Sequence, residues 1–152
     1  MGNWVYGCDI CQDVCPFNRF AAPTQEIAFY PDGATYNSQF TIHNSLLEKV
    51  MPSLLDLLTL DDAAFNERFT VSPIKRIKRA RLVRNACVAA GNWGSETAVP
   101  PLIALLTDSE PIVRGHAAWA LRQIGGRDAE TAVARARQDE TDKNVRQELS
   151  GK

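Results

Sequence analysis

The 152-residue chain has no run of about 18 apolar residues, the length a helix needs to cross a bilayer, so no membrane span is expected. Its start lacks the basic-then-apolar pattern of an export signal. It also lacks a Gly-rich phosphate loop, a Ser/His/Asp set and an H-E-x-x-H motif. These absences remove P-loop, triad-hydrolase and zincin chemistry from the reading. Histidine is scarce, with two residues, and only four cysteines occur. A net charge of −1 by itself favours no class of partner. At 45% apolar residues a packed core is attainable.

Three of the four cysteines share one short stretch, Cys8-Asp9-Ile10-Cys11-Gln12-Asp13-Val14-Cys15-Pro16, which spells C-x2-C-x3-C-P. The bacterial ferredoxin run is C-x2-C-x2-C-x3-C-P, whose last Cys ligates the other of two [4Fe–4S] clusters. Counting back from Cys15 puts Cys11 and Cys8 at the third and second positions and Val5 at the first. Three thiolates cannot complete a cube, so the chain is expected to be the tail of a longer protein. A Cys3His zinc site with His43 is an alternative, although His43 is distant and has no partner at finger spacing. A disulfide framework suits small secreted chains and fits less well. Thiols at metal-like spacing without an export signal point to a reducing cytoplasm. Trp4, Val5, Tyr6, Phe17 and Phe20 flank the motif, either as core or as a dry shell around a cluster.

Residues 21–45 read as an irregular connector punctuated by Pro23, Pro31, Asp32-Gly33, Asn37 and Asn44. From about residue 46, Leu46, Leu47, Val50, Leu54, Leu57 and Leu58 recur at helical steps. Asp61 or Asp62 can cap a short helix carrying Phe65 and Phe69. Ser72-Pro73 is a helix-start signal, with Ser at N-cap and Pro at N1.

The helix expected to follow is basic at its start, with Lys75, Arg76, Lys78, Arg79, Arg81 and Arg84. Positive charge nearly rings its first turns, so that end should project from the packed array. The bland reading is a solvated face. The few acids nearby favour instead a polyanion, most simply a phosphate backbone, with Lys75, Arg76, Lys78, Arg79 and Arg81 as the contacts. Free N–H groups behind the Ser-Pro cap would add to that attraction.

Residues 80–152 carry an internal repeat. Val-Arg recurs at 83–84, 113–114 and 145–146, and Glu-Thr-Ala-Val at 96–99 and 130–133. Each unit reads as helix, Gly-containing turn, helix, the signature of a short HEAT-like α-solenoid. Val113, Ala117, Ala120, Leu121 and Ile124 form one apolar face, and Cys87 sits in the small-residue slot of Ala117. His116 and Cys87 read as structural, Arg114 and Arg146 as repeat framework, and residues 141–150 as a polar cap. The expected class is all-α: a partial 4Fe–4S ferredoxin-type segment at 1–20, a connector at 21–45 and a HEAT-like domain at 46–152.

Two stretches together are more specific than either alone. Tyr6-Gly7-Cys8 through Cys15-Pro16-Phe17-Asn18-Arg19 resembles the second cluster motif of epoxyqueuosine reductases. Ser72-Pro73-Ile74-Lys75-Arg76, Arg84-Asn85, Gly91-Asn92 and Val113-Arg114-Gly115-His116-Ala117-Ala118-Trp119-Ala120-Leu121 resemble that family's C-terminal HEAT-like part. The resemblance implies reduction of epoxyqueuosine to queuosine at the tRNA wobble position, with cobalamin and two [4Fe–4S] clusters. It implies that Cys8 and Cys11 help bind one cluster and Cys15 the other. It also implies that cobalamin and the catalytic acid belong to an upstream catalytic part, which this chain lacks and would need as a partner. The tRNA anticodon stem-loop would be the other partner. The competing class is a non-enzymatic HEAT scaffold that binds protein and carries a metal-binding Cys segment.

Overall fold

The computed structural model describes residues 5, 14–20, 22 and 53–151. Cys8, Cys11, His43, Trp4, Tyr6 and the connector at 23–45 lie outside the described residues, as do Leu46, Leu47 and Val50. The chain divides into two compact units, one joining Met1–Gly7 to Leu54–Lys152 and the other Cys8–Ser53. In the second unit the described element is a 3-10 turn, Pro16–Phe20.

The first unit is all-helical among the described residues. Its helices are α1 (Leu54–Leu58), α2 (Asp62–Arg68), α3 (Lys78–Trp93), α4 (Val99–Leu105), α5 (Pro111–Ile124), α6 (Arg127–Asp139) and α7 (Lys143–Ser150). α3, α5 and α7 pack side by side in one layer, and α1, α4 and α6 in another. Each element buries one stripe against its neighbours in both layers, as a solenoid requires. The largest fully buried side chains are Leu58, Leu82, Leu102 and Leu121. Burial of each contributes roughly 2 kcal/mol.

Local chemistry sets the helix ends. The Asp61 carboxylate accepts from Ala64 N at 2.7 Å and starts α2. The Asp142 carboxylate accepts from Asn144 N and Val145 N and starts α7. Pro111 stands at the first turn of α5, where its missing N–H costs nothing. Gly94 and Gly125, both at positive φ, close α3 and α5 by donating to the carbonyls of Ala90 and Leu121.

Those two closures lie 31 residues apart, as do the carbonyls they bond, and they fix the register of the repeat. The Val-Arg recurrence implies a different register. At a spacing of 31, Cys87 matches Ala118, and Arg84 matches Gly115 rather than Arg114. Small residues govern the contact between α3 and α5. A Cβ on Gly91 would sit 2.5 Å from Trp119 Cζ3 and 3.1 Å from Ala120 Cα. Only glycine permits that approach, and Ala86, Ala90, Ala117 and Ala120 continue it with full burial.

Ser72-Pro73 does start a helical element, and the Ser72 hydroxyl accepts from Ile74 N at 3.3 Å. That element is a five-residue 3-10 turn, Pro73–Ile77, and not the first turns of a longer α-helix. It breaks at Lys78, whose φ of 63° and ψ of 160° leave the helical region, and α3 begins anew there. This backbone region is close to glycine-only and costs about 1–3 kcal/mol for a side-chain-bearing residue. The neighbouring Arg79 anchor, described below, holds the chain in it.

Candidate nucleic-acid interface

The five cations grouped by sequence separate into two kinds. Lys75, Arg76, Lys78 and Arg81 are exposed, and no ion pair involves them among the described residues. Lys75 and Arg76 belong to the 3-10 turn, while Lys78 and Arg81 open α3. Arg79 points inward. Its Nε donates to the Leu60 carbonyl at 2.6 Å, and its two Nη groups donate to the Asp108 carboxylate at 2.5 and 3.3 Å. The Asp108 hydrogen bond raises the pKa of Arg79 against the opposing effect of burial. Burial pushes Asp108 upward, but the Arg79 bond and the Glu110 amide outweigh it and leave the carboxyl below its ordinary value. Nearby acids therefore exist for one cation of the group, supplied by a loop 29 residues downstream.

Arg79 does in the first repeat what Arg114 and Arg146 do in the next two. Arg114 donates to the carbonyls of Asp108 and Ser109 and forms a bidentate pair with Glu140. Arg146 donates from Nε to the Glu140 carbonyl at 2.5 Å. Arg114 and Arg146 each tie the loop before their own helix, and Arg79 ties the turn between α1 and α2. Arg79 and Arg114 also reach an acid in the loop before the next helix of their layer. Sequence reading missed Arg79 here because it stands at a different helix position from Arg114. The legible signal was the 32-residue spacing of Asp108 and Glu140, a matched pair of loop acids.

Arg84 takes no part in this framework. Its Nε is buried with no hydrogen-bond partner, as is Oδ1 of Asn85. Asn85 Nδ2 donates to the Val5 carbonyl at 2.7 Å, which ties Val5 to α3. Beside the cations, Thr70, Val71, Ser72, Pro73, Lys75 and Arg76 line an open cleft of about 410 Å³. A larger groove of about 1100 Å³ lies between α4 and α6; its wall mixes Arg127 and Arg135 with Asp128 and Asp139.

Cys15 is a free, half-buried thiol just before the turn Pro16–Phe20. Val14, Phe17 and Phe20 beside it are exposed. Among the described residues no group of three or more His, Cys, Asp or Glu could hold a metal ion. Cys87 is fully buried in the helical layer, and burial pushes its thiol up to about 12, so it is an inert packing residue. His116 bonds through Nδ1 to the Ile112 carbonyl at 2.8 Å and is likewise structural. No described helix is long and apolar enough to cross a membrane.

A HEAT-repeat family matches residues 78–150, which spans α3 to α7. An epoxyqueuosine reductase of Listeria monocytogenes is 40% identical over 152 residues, covering 97% of this chain and 36% of the relative. One from Bacillus anthracis is 34% identical and covers 99% and 36%. This chain is homologous to the C-terminal part of epoxyqueuosine reductases. It spans about 36% of the length of these curated relatives. A solved epoxyqueuosine reductase, crystallised with an epoxyqueuosine-modified tRNA-Tyr stem loop, superposes with a TM-score of 0.74 at 29% identity. That likeness covers 98% of this chain and 36% of the other. The epoxyqueuosine reductase of Streptococcus thermophilus gives a TM-score of 0.64 at 25% identity.

Proposed function

We propose that this chain is the part of an epoxyqueuosine reductase that grips tRNA and supplies cluster ligands, in the reduction of epoxyqueuosine to queuosine at the wobble position. The observation that carries this reading is the set of four exposed cations, Lys75, Arg76, Lys78 and Arg81, on a helical scaffold homologous to a tRNA-bound reductase. Exposed cations without acid partners attract phosphates, and rigid helices hold them at fixed spacing. An A-form anticodon stem presents phosphates at regular spacing. Arg79 supports this ridge from beneath by tying its base to Leu60 and Asp108.

Cys8, Cys11 and Cys15 form an all-thiolate donor set, and soft thiolates suit iron–sulfur clusters. The free Cys15 thiol at the head of a tight turn fits such a role. Cys8 and Cys11 would serve one [4Fe–4S] cluster and Cys15 a second, completed by thiolates from the upstream part. Clusters so held supply electrons. Cobalamin and the proton-transfer chemistry belong to that upstream catalytic part, and the whole protein works in the cytoplasm.

The test is a salt titration of tRNA binding by anisotropy. Replacing Lys75, Arg76, Lys78 and Arg81 with Ala should lower the slope of log affinity against log salt by about 3 units, since each lost phosphate contact removes roughly 0.7–0.9. The fold should survive, because all four side chains are exposed. An unchanged slope in the folded variant would make the ridge a solvated face and put the protein-binding scaffold ahead.

A further inference from the structure

The cleft beside the cations offers more than charge. Val71 is 98% exposed, an apolar side chain standing between the hydroxyls of Thr70 and Ser72. Pro73 forms a second apolar wall, and Lys75 and Arg76 form the charged rim. The two hydroxyls are in different hydrogen-bonding states. Thr70 Oγ1 donates its proton to the Asn66 and Glu67 carbonyls, so its remaining capacity is to accept. Ser72 Oγ accepts from Ile74 N, so its own proton is available to donate.

We propose that this cleft is a ribonucleotide subsite: phosphate against Lys75, Arg76 and the Ser72 hydroxyl, the ribose face on Val71 and Pro73, and the ribose 2′-OH donating to Thr70 Oγ1. The proposal rests on the reading of the chain as a tRNA-binding module and deepens it. Two cations and one O–H match a phosphate, which only accepts. An acceptor beside an apolar wall matches the one sugar group that separates RNA from DNA. The side chains touch backbone and sugar alone, so the subsite is indifferent to base identity. It suits a stem that is recognised by shape.

The experiment compares an anticodon stem-loop RNA with the same hairpin carrying 2′-fluoro riboses, which keep the A-form but cannot donate. Wild-type protein should prefer the RNA by about fivefold, the worth of one hydrogen bond. Thr70→Val should bring the two hairpins to parity without weakening the fluoro hairpin. Val71→Asp should weaken both by about tenfold through repulsion of phosphate and loss of the apolar contact. Both positions are exposed, and circular dichroism would verify that each variant is folded. Retention of the RNA preference by Thr70→Val, or wild-type affinity in Val71→Asp, would overturn the subsite. If the alanine replacement of the four cations still weakened binding, the tRNA reading would stand. Wild-type protein that bound neither hairpin would overturn both.

Discussion

Arg114 reaches across a repeat boundary to Glu140, with Nε 2.7 Å from Oε2 and Nη2 2.9 Å from Oε1. Glu140 is a buried charged residue, 8% exposed. Its Oε1 also accepts from the amides of Thr141 and Asp142, so the carboxylate is fully engaged as the chain turns from α6 into α7. Geometry of this kind offsets the cost of taking two charges out of water, which a lone buried pair often fails to do.

Removing one partner should therefore cost more than removing both. Arg114→Ala should destabilise the protein by about 3 kcal/mol, because it strands a buried carboxylate. Arg114→Ala with Glu140→Gln should cost less than the two single changes added together. Urea denaturation of the four proteins in a double-mutant cycle would measure the coupling. Strict additivity would show that the pair contributes nothing beyond packing.

Stability should fall in acid through the same carboxylate. The Arg114 hydrogen bond, opposed by burial and aided by the Asp142 and Thr141 amides, lowers Glu140 from 4.5 to about 2. A depressed folded-state pKa gives stability that is present in full above the unfolded value and is lost as pH falls through the folded one. The window is thus about pH 5 down to about pH 2, and the loss is of order 3 kcal/mol at 1.36 kcal/mol per unit. Denaturation midpoints across that range should drop more steeply for wild type than for Glu140→Gln. Parallel curves would assign the acid sensitivity elsewhere.

Lys78 should trade stability for binding. Glycine adopts a φ of 63° with a ψ of 160° without penalty, so Lys78→Gly should raise stability by about 1 kcal/mol despite its added unfolded-state entropy. The same change removes one ridge charge, so the salt slope of tRNA binding should fall by about 0.8. Thermal denaturation and the anisotropy titration together would check it. A less stable Lys78→Gly would mean that the Lys78 backbone is not strained in solution.

The helical class, the repeat, the Ser72 cap and the C-terminal polar unit were legible because they depend on local pattern and capping chemistry. Val113, Ala117, Ala120 and Leu121 are buried as their spacing requires, and Ile124 is partly so. The register of the repeat was less legible. Val-Arg pairs catch the eye, but the backbone closures at Gly94 and Gly125 set the spacing at 31. The family resemblance was carried by residues far apart in the chain, and homology over nearly the whole chain agrees with it.

Sequence by itself therefore determined the helical class, which faces of α3 and α5 are apolar and which side chains carry positive charge. Tertiary structure alone decided how that charge is used. Lys75, Arg76, Lys78, Arg79 and Arg81 are alike on paper. Only the loop that brings Asp108 beside α3 separates the anchored Arg79 from its exposed neighbours. The physical reason is that an ion pair depends on distance through space, and 29 residues of intervening chain carry no local mark of that distance.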